Sequence, residues 1–294
     1  MSDFVLSCES TADLTKDEVE EFGLSYIPFH FYIDGVEYPD DLGQTVPFDE
    51  FYQRMVDGAD TKTAALGVGE YQVYFRSFLE QGKDVLHVSL STGLSRTYES
   101  ARAAAEALSM EFPERTIRVL DSLGASTGYG LLMVTLAEMR DAGKGLDELY
   151  EWGRANRLRV HHEFFSTDLT FYVKGGRVKP VTGFVGNLLN ICPLLDMDAA
   201  GHLIPREKVR SKKKAMARIV DKMEGYADGG RDYAGRVFMS QSACPEDAAE
   251  VARMVQERFP HIKGPVRINS IGTTIGSHSG PGTVALFFWG SPRE

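Results

Sequence analysis

The chain of 294 residues carries 32 lysines and arginines against 42 aspartates and glutamates, and this net charge of −10 disfavours general binding to nucleic acid or acidic membranes. Its 43% apolar and 25% charged residues are ordinary for a soluble globular protein long enough for two modest domains. It shows no secretion signal, no apolar run near ~18 residues and three scattered cysteines without metal-ligand spacing, so we expect a reduced, cytoplasmic protein.

The first half of the sequence alternates short apolar runs with amphipathic segments. Strands are predicted near residues 4–7, 85–90 and 117–120, and each is followed by a segment whose apolar residues have helical spacing. Asp34-Gly35 also predicts a hairpin. Alternation of this kind favours a mostly parallel sheet covered on both faces, with ligands at the carboxyl ends of its strands.

Four predicted loops in this half carry hydroxyl side chains, near Ser10, Thr63, Ser95 and Ser122, and the segment 61–69 around Thr63 is predicted to be a loop throughout. The loop at Ser95 runs directly into a helix, whose first turn leaves unpaired N–H groups at the positive end of the helix dipole. Such a junction suits a phosphate or a carboxylate. The sequence is equally consistent with a purely structural role in which Ser95 is only the N-cap of that helix.

The second half mixes hairpins with helices, which predicts an α+β domain over residues 157–294 after an α/β domain over residues 1–156. A hairpin is predicted from strands near 191–197 and 202–204. Further strands are predicted near 161–167, 237–240, 266–268 and 284–289, with helices near 169–173, 211–226 and 245–259.

Two features of the second half are candidates for function. The segment 206–214 has six cations against one acid, and we place these cations at the start of a helix, where the dipole disfavours them unless an anionic partner is near. A solvated surface is the alternative. His278 lies in a predicted glycine-rich loop with Ser277 and Ser279, where an imidazole can donate to a carboxylate or a phosphate.

Three familiar chemistries lack their motifs. The G-x-S-x-G pattern of serine hydrolases is incomplete around Ser95, no P-loop is present, and no paired histidines or carboxylates have metal-ligand spacing. What remains is a hydroxyl-rich anion site beside large apolar surfaces, which suits an amphiphile with an acidic head group.

Four motifs together resemble those of the DegV family, bacterial fatty-acid-binding proteins that include the FakB subunits of fatty acid kinase. They span nearly the whole chain and read ESTADL at 9–14, SLSTGLSRTYES at 89–100, GGR at 175–177 and HSGPG at 278–282. The family patterns are D-S-T-x-D-L, S-x-S-S-x-L-S-G-T-Y-x-S, G-G-R-I and H-x-G-P-G. This chain has Glu9 where an aspartate is usual and Arg96 where a glycine is usual.

A fifth family pattern, close to K-T-S-Q-P-S-P-G-E-F, reads KTAALGVGEY at residues 62–71, which keeps Thr63 but replaces the polar and proline positions at 64–67. The resemblance implies that Thr63 and Ser95 hold the carboxylate of a fatty acid, with His278 beside it. It also implies an apolar tunnel for the acyl chain between the two domains. Further candidate head-group contacts are Ser10, Thr92, Gly93 and Ser122.

The resemblance also implies a carrier rather than an enzyme, with no catalytic residue, cofactor or metal of its own. Its ligand would be a long-chain fatty acid such as palmitate, stearate or oleate, which a separate ATP-dependent fatty acid kinase would phosphorylate to an acyl phosphate. We expect a free monomer that contacts membranes only transiently and binds no nucleic acid. Candidate residues for docking the kinase are Arg177, Arg206, Arg210 and Lys213.

The residues leave one alternative open. In a hydrolase or transferase, Ser95 would be the nucleophile and His278 the base, acting on a lipid or a phospho-substrate. Turnover of acyl esters by the purified protein alone would favour the enzyme, whereas acyl phosphate formation only with a kinase and ATP would favour the carrier.

Overall fold

The computed structural model describes residues 4–179 and 191–294 and has a mixed α/β fold. In chain order its strands are β1 (Phe4–Glu9), β2 (Ser25–Ile27), β3 (His30–Ile33), β4 (Val36–Pro39), β5 (Thr61–Ala64), β6 (Asp84–Ser89), β7 (Ile117–Asp121), β8 (Val160–Ser166), β9 (Ile191–Met197), β10 (Leu203–Arg210), β11 (Phe238–Gln241), β12 (Arg267–Ser270) and β13 (Thr283–Trp289). The α-helices are α1 (Lys16–Glu21), α2 (Phe48–Val56), α3 (Val68–Leu79), α4 (Thr97–Glu111), α5 (Ser126–Asp141), α6 (Leu146–Asn156), α7 (Thr170–Lys174), α8 (Lys212–Tyr226), α9 (Pro245–Arg258) and α10 (Thr273–Ser279).

Within those two ranges, none of the helices is both long enough and apolar enough to cross a membrane. The same residues contain no group of three or more histidine, cysteine, aspartate or glutamate side chains arranged to hold a metal ion.

The first half is built on a parallel sheet of four strands in the order β2-β1-β6-β7. Every residue of β6 from Val85 to Ser89 is buried. Because successive strand residues point to opposite faces, this burial means that both faces of the sheet are covered. The predicted parallel α/β character of this half is confirmed.

A small antiparallel sheet in the order β4-β3-β5 carries Thr63. Its strands β3 and β4 form the hairpin predicted at Asp34-Gly35. The prediction of a loop over 61–69 is wrong at its start, because Thr63 lies on β5 and pairs with Phe31 of β3. A strand that is stabilised by so distant a partner has little local signal in the sequence.

The second half is built on a mixed sheet of six strands in the order β10-β9-β8-β13-β11-β12. The predicted hairpin near 191–204 is confirmed as β9 and β10. On β8, Phe165 packs into a core formed with α8 and α9, whereas Phe164 points to the opposite face and joins the core of the first half. This second face of the sheet forms one wall of the cavity described below.

Helix α5 lies between the two larger sheets. Its residues from Ser126 to Val134 are all buried, and it packs against β8, β11 and β13. A helix that is apolar on nearly all sides is buried on nearly all sides. One apolar core therefore runs from the parallel sheet through α5 to the six-stranded sheet. The domain boundary predicted at residue 156 falls on the last residue of α6 and remains a prediction.

The basic segment at 206–214 lies only partly where the sequence placed it. Arg206 and Arg210 lie on β10, an edge strand, and only the lysines at 212–214 lie at the start of α8. The electrostatic penalty for cations at a helix start therefore does not apply to the cations on β10. Arg206 is also paired with Asp196, at 2.8 Å.

Candidate functional site

A cavity of about 860 Å³, including its solvent-open mouth, lies between α10, the first turn of α5 and one face of the six-stranded sheet. Its apolar lining is Phe29, Ala65, Leu90, Leu94, Ala125, Phe164, Met197, Leu203, Ile271, Ile275, Ala285 and Phe287. Its polar lining is Thr63, Ser95, Ser126, His162, Tyr172, Arg177, Ser240, Thr274, His278, Ser279 and Thr283. The cavity thus brings together Thr63, Ser95 and His278, the three residues predicted to hold a head group.

Thr63 and His278 are in direct contact at one end of this cavity. The Thr63 Oγ1 and His278 Nε2 atoms are 2.7 Å apart, and the Arg177 Nη1 atom lies 3.5 Å from His278 Nδ1. Because a guanidinium only donates hydrogen bonds, Nδ1 is the acceptor and the neutral ring carries its proton on Nε2. Nε2 then donates to Thr63, which leaves the hydroxyl hydrogen of Thr63 for another acceptor.

The His278 ring is neutral at physiological pH. Burial, together with the positive charge of Arg177, lowers the pKa of the imidazole from 6.5 to about 3. Arg177 itself donates to the carbonyls of Gly175 at 2.6 Å and Leu94 at 3.3 Å, neither of which carries a charge. A partly buried guanidinium with neutral partners makes this end of the cavity favourable for an anion.

Helix α10 carries His278 in its last turn, which corrects the prediction of a glycine-rich loop. Two aspartates from the first half of the chain bind the N-terminal end of this helix. Asp13 accepts from the Gly272 N–H at 2.9 Å, and Asp40 accepts from the Thr274 N–H at 3.2 Å. The helix forms because these carboxylates satisfy N–H groups that its own turn leaves unpaired.

Ser95 lies in the loop between β6 and α4 and lines the cavity. Helix α4 begins at Thr97, whose N–H lies 3.4 Å from Ser95 Oγ. A hydrogen bond of that length is weak. The capping role that the sequence left open is therefore a minor one, and the hydroxyl is available to the cavity.

Four further candidates, Ser10, Thr92, Gly93 and Ser122, do not line the cavity in the part of the chain that the structure describes. Three of their side chains are used within loops: Ser10 accepts from the Phe29 N–H, Thr92 donates to Asp121 and Ser122 donates to the Gly124 carbonyl. Such side-chain bonds fix loop conformation. The structure therefore gives these residues a role in loop geometry and not in the cavity wall.

The predicted docking residues divide into two groups. Arg177 lines the cavity, whereas Arg206, Arg210 and Lys213 are exposed on β10 and α8. Arg177 therefore lies with the residues that were predicted to hold a head group. The G-G-R motif identifies this arginine in the sequence. A glycine pair predicts a turn, however, and does not show which surface the arginine side chain faces.

The cavity continues along β13 to His162, which sequence reasoning missed. Thr283 contacts Tyr172 near α10, and Phe287 packs edge-on against His162 with ring centroids 5.2 Å apart. These two β13 residues are four apart, a distance of about 13 Å in a strand. His162 Nδ1 donates to the Val160 carbonyl at 3.1 Å, Nε2 accepts from a backbone N–H, and burial holds its pKa well below 6.5.

Comparison with known proteins identifies the family. A profile described as an uncharacterised protein of the DegV family matches residues 4–290. This chain belongs to the DegV family. A DegV domain-containing protein of Clostridium perfringens is 32% identical to it over 294 residues, and the match covers 100% of both chains.

Two solved structures share the DegV fold seen here. A DegV family protein of Thermus thermophilus, reported for its fatty acid binding, is 26% identical with a TM-score of 0.86, covering 98% of this chain and 99% of that one. The fatty acid kinase B3 protein of Streptococcus pneumoniae, solved with linoleic acid, is 21% identical with a TM-score of 0.82 and the same coverage. The second likeness is one of fold.

The DegV motifs approach the cavity from different parts of the fold. Thr63, Ser95, Arg177 and His278 each come from a different motif and all line it. The first motif, ESTADL, contributes no lining residue in the described part of the chain, and its Glu9 is completely buried. The motifs therefore supply both the cavity wall and the layer beneath it.

Proposed function

We propose that this protein binds a long-chain fatty acid, with the carboxylate at Thr63, Ser95 and His278 and the acyl chain in the cavity. The observation that carries the proposal is the Thr63–His278 pair, backed by Arg177, at one end of a largely apolar cavity. Burying an acyl chain is favourable by roughly 0.8 kcal/mol per methylene group. A carboxylate in the same cavity is costly unless donors surround it.

The donors at this end fit a carboxylate. The Thr63 hydroxyl accepts from His278 and has its hydrogen free to donate, and the Ser95 hydroxyl lines the same cavity. Arg177 adds a positive charge next to the ring. The fatty acid binding reported for the Thermus thermophilus relative supports the same ligand class for this chain.

The test is a search for the ligand in the protein as expressed. Denaturing extraction followed by lipid mass spectrometry should recover a fatty acid in near-stoichiometric amount. Delipidated protein should take up added stearate or oleate. If several expression hosts give lipid-free protein and added fatty acid does not bind, the proposal is wrong.

We further propose that the protein presents its fatty acid to a separate ATP-dependent kinase. The motif resemblance supports this role, as does the name of the pneumococcal protein that shares the fold. His278 is also poorly arranged as a catalytic base, because a cation and not a carboxylate faces its Nδ1 atom. Acyl phosphate should form only when a bacterial fatty acid kinase and ATP are added, and ester hydrolysis by the protein alone would favour the hydrolase.

Arg210 and Lys213 are the exposed cations that we propose for kinase docking. The double variant Arg210→Ala with Lys213→Ala should keep fatty-acid affinity and slow kinase-dependent phosphorylation, most strongly at low salt, where charges are least screened. A matched control is Lys144→Ala with Arg154→Ala, which removes two exposed cations near α6. Equal phosphorylation rates for both double variants at low salt would exclude the docking role.

A further inference from the structure

Glu9 is a charged side chain buried beneath the cavity wall. It is the last residue of β1, and 0% of its surface is exposed. Its carboxylate accepts hydrogen bonds from Tyr71 Oη at 2.6 Å, Ser89 Oγ at 2.7 Å and the Leu90 N–H at 2.6 Å. A fourth and longer contact, at 3.4 Å, joins the carboxylate to His87 Nε2, and none of these four partners is a lysine or an arginine.

The donors to Glu9 belong to three segments that each supply part of the cavity lining. Tyr71 lies on α3, which follows β5 and its Thr63. Ser89 is the last residue of β6, and Leu90 begins the loop that carries Ser95. On α5, Tyr129 donates to the Glu9 backbone carbonyl at 2.9 Å. The lining residues of these segments are Thr63 and Ala65, then Leu90, Leu94 and Ser95, then Ala125 and Ser126.

A carboxylate is the side chain that suits this position. It has acceptor sites for several donors at once and donates nothing. Burial by itself would raise the pKa of Glu9, but a hydrogen bond and a charge interaction with His87, together with hydrogen bonds from Tyr71 and Ser89, outweigh it, and the pKa is lowered overall. Glu9 is therefore ionised at physiological pH, and its donors point at a fixed charge.

We propose that Glu9 is a positioning residue for the head-group site: by binding α3 and the β6–α4 loop together, it fixes the separation of Thr63 and Ser95. It thereby sets the preference for a fatty-acid carboxylate over an uncharged head group. This inference rests on the proposed function, because it concerns how the same site recognises its ligand. Glu9 does not line the cavity itself, so its effect on the ligand is indirect.

Two variants perturb this contact. Glu9→Gln keeps the shape of the side chain but replaces one acceptor oxygen with a donor, and Tyr71→Phe removes one hydrogen bond and leaves the carboxylate. Tyr74→Phe is the matched control, since Tyr74 lies on the same helix and its hydroxyl is bonded to Ser7 Oγ at 2.9 Å instead. All three changes can lower thermal stability, but only Glu9→Gln and Tyr71→Phe alter a group that takes part directly in the Glu9–Tyr71 hydrogen bond.

The readout is the ratio of dissociation constants for methyl stearate and stearic acid, measured on delipidated protein with the thermal midpoint recorded alongside. Both compounds have the same acyl chain, so a general loss of packing changes both constants and leaves their ratio unaltered. We expect the ratio to fall roughly three- to tenfold in Glu9→Gln and Tyr71→Phe, as part of a charged hydrogen bond is lost. It should stay at the wild-type value in Tyr74→Phe.

The outcomes separate this inference from the proposed function. A wild-type ratio in Tyr71→Phe and in any Glu9→Gln protein that folds would overturn the positioning role while fatty-acid binding stands. An equal fall in Tyr74→Phe would also overturn it, because the effect would then belong to α3 as a whole. Wild-type protein that binds neither compound would overturn the proposed function and this inference together.

Discussion

His278 and His162 line the same cavity, and their surroundings differ. Both rings are neutral, because burial lowers the pKa of each. The two nitrogens of His162 are satisfied by backbone groups, the Ala125 N–H and the Val160 carbonyl. His278 instead contacts two side chains, Thr63 and Arg177, that themselves line the cavity.

This difference favours His278 over His162 as the histidine for the proposed head-group site. A ring whose nitrogens are both bonded to the backbone has no hydrogen-bonding capacity left, so His162 offers a ligand only the surface of its ring. The hydrogen bond from His278 orients a hydroxyl whose own hydrogen is unused. Burial and a lowered pKa are shared by both residues, so the identity of the hydrogen-bond partners is the useful criterion.

The largest expected effect is at the His162 end. A Cβ on Gly128 of α5 would overlap the His162 and Phe287 rings. Gly128→Ala should lower the free energy of unfolding by about 3 kcal/mol, because the overlap forces both rings to shift and His162 is held by hydrogen bonds at both of its nitrogens. Gly225→Ala on α8, where nothing lies within 4 Å of the added methyl group, is the control and should be neutral or stabilising. Chemical denaturation measures both, and equal stabilities would show that the wall is not rigid.

At the other end, Thr63→Ala and Ser95→Ala should each weaken fatty-acid binding without unfolding the protein. A hydrogen bond to a charged group contributes about 1.5–3 kcal/mol, which corresponds to roughly one to two decades in dissociation constant. Ser240→Ala is the control. The Ser240 hydroxyl lines the same cavity but contacts Ser126 Oγ, at 3.0 Å, so this variant should have little effect on affinity. Calorimetric titration with stearate compares the three, and unchanged affinity in both head-group variants would place the carboxylate elsewhere.

The neutral state of His278 can be tested by the pH dependence of stability. Its pKa is about 3 in the folded protein and about 6.5 when unfolded, so between these values the unfolded chain binds a proton that the folded chain does not. The stability that the neutral His278 ring contributes to the folded protein is fully present above pH 6.5 and is lost as the pH falls. Relative to His278→Gln, ligand-free wild type should lose about 1.4 kcal/mol per pH unit between pH 6 and 4.

Urea unfolding of the two proteins at several pH values measures this difference. The variant retains His162, whose pKa is also lowered, so that contribution cancels in the comparison. Parallel pH profiles would show that folding does not lower the pKa of His278. The folded ring would then be protonated on both nitrogens over this pH range, and its Nδ1 atom could not accept from Arg177.

The smallest expected effect is at Gly175, where a Cβ would overlap the His278 Nδ1 atom. Gly175→Ala should displace the ring, which is less buried than that of His162, at a cost of about 1 kcal/mol. Part of this loss should appear as weaker binding of stearate. Gly176→Ala is the neighbouring control, since its Cβ meets nothing within 4 Å, although its φ of +72° makes alanine strained there. Stearate affinity should fall in the first variant and stay unchanged in the second.

Much of the fold was predictable from local patterns. The alternation of apolar runs and helical segments predicted the parallel sheet of the first half, and Asp34-Gly35 predicted a hairpin. The segment at 61–64 was not predicted as a strand, because its pairing with β3 supplies the stability that its own residues lack. His278 was placed in a loop because a short helix rich in glycine, serine and threonine has weak helical propensity, and tertiary bonds from Asp13 and Asp40 compensate.

The sequence by itself determined where the chemistry lies along the chain: motifs with a hydroxyl, a guanidinium or an imidazole, each next to a turn or a helix start. Only the tertiary structure decided which of them meet. Thr63 and His278 are 215 positions apart and form one hydrogen bond, Arg177 belongs to the cavity and not to the exposed basic segment, and Glu9 lies beneath the wall. Residue periodicity reports which side of an element is buried, whereas a hydrogen-bond partner depends on how distant elements pack.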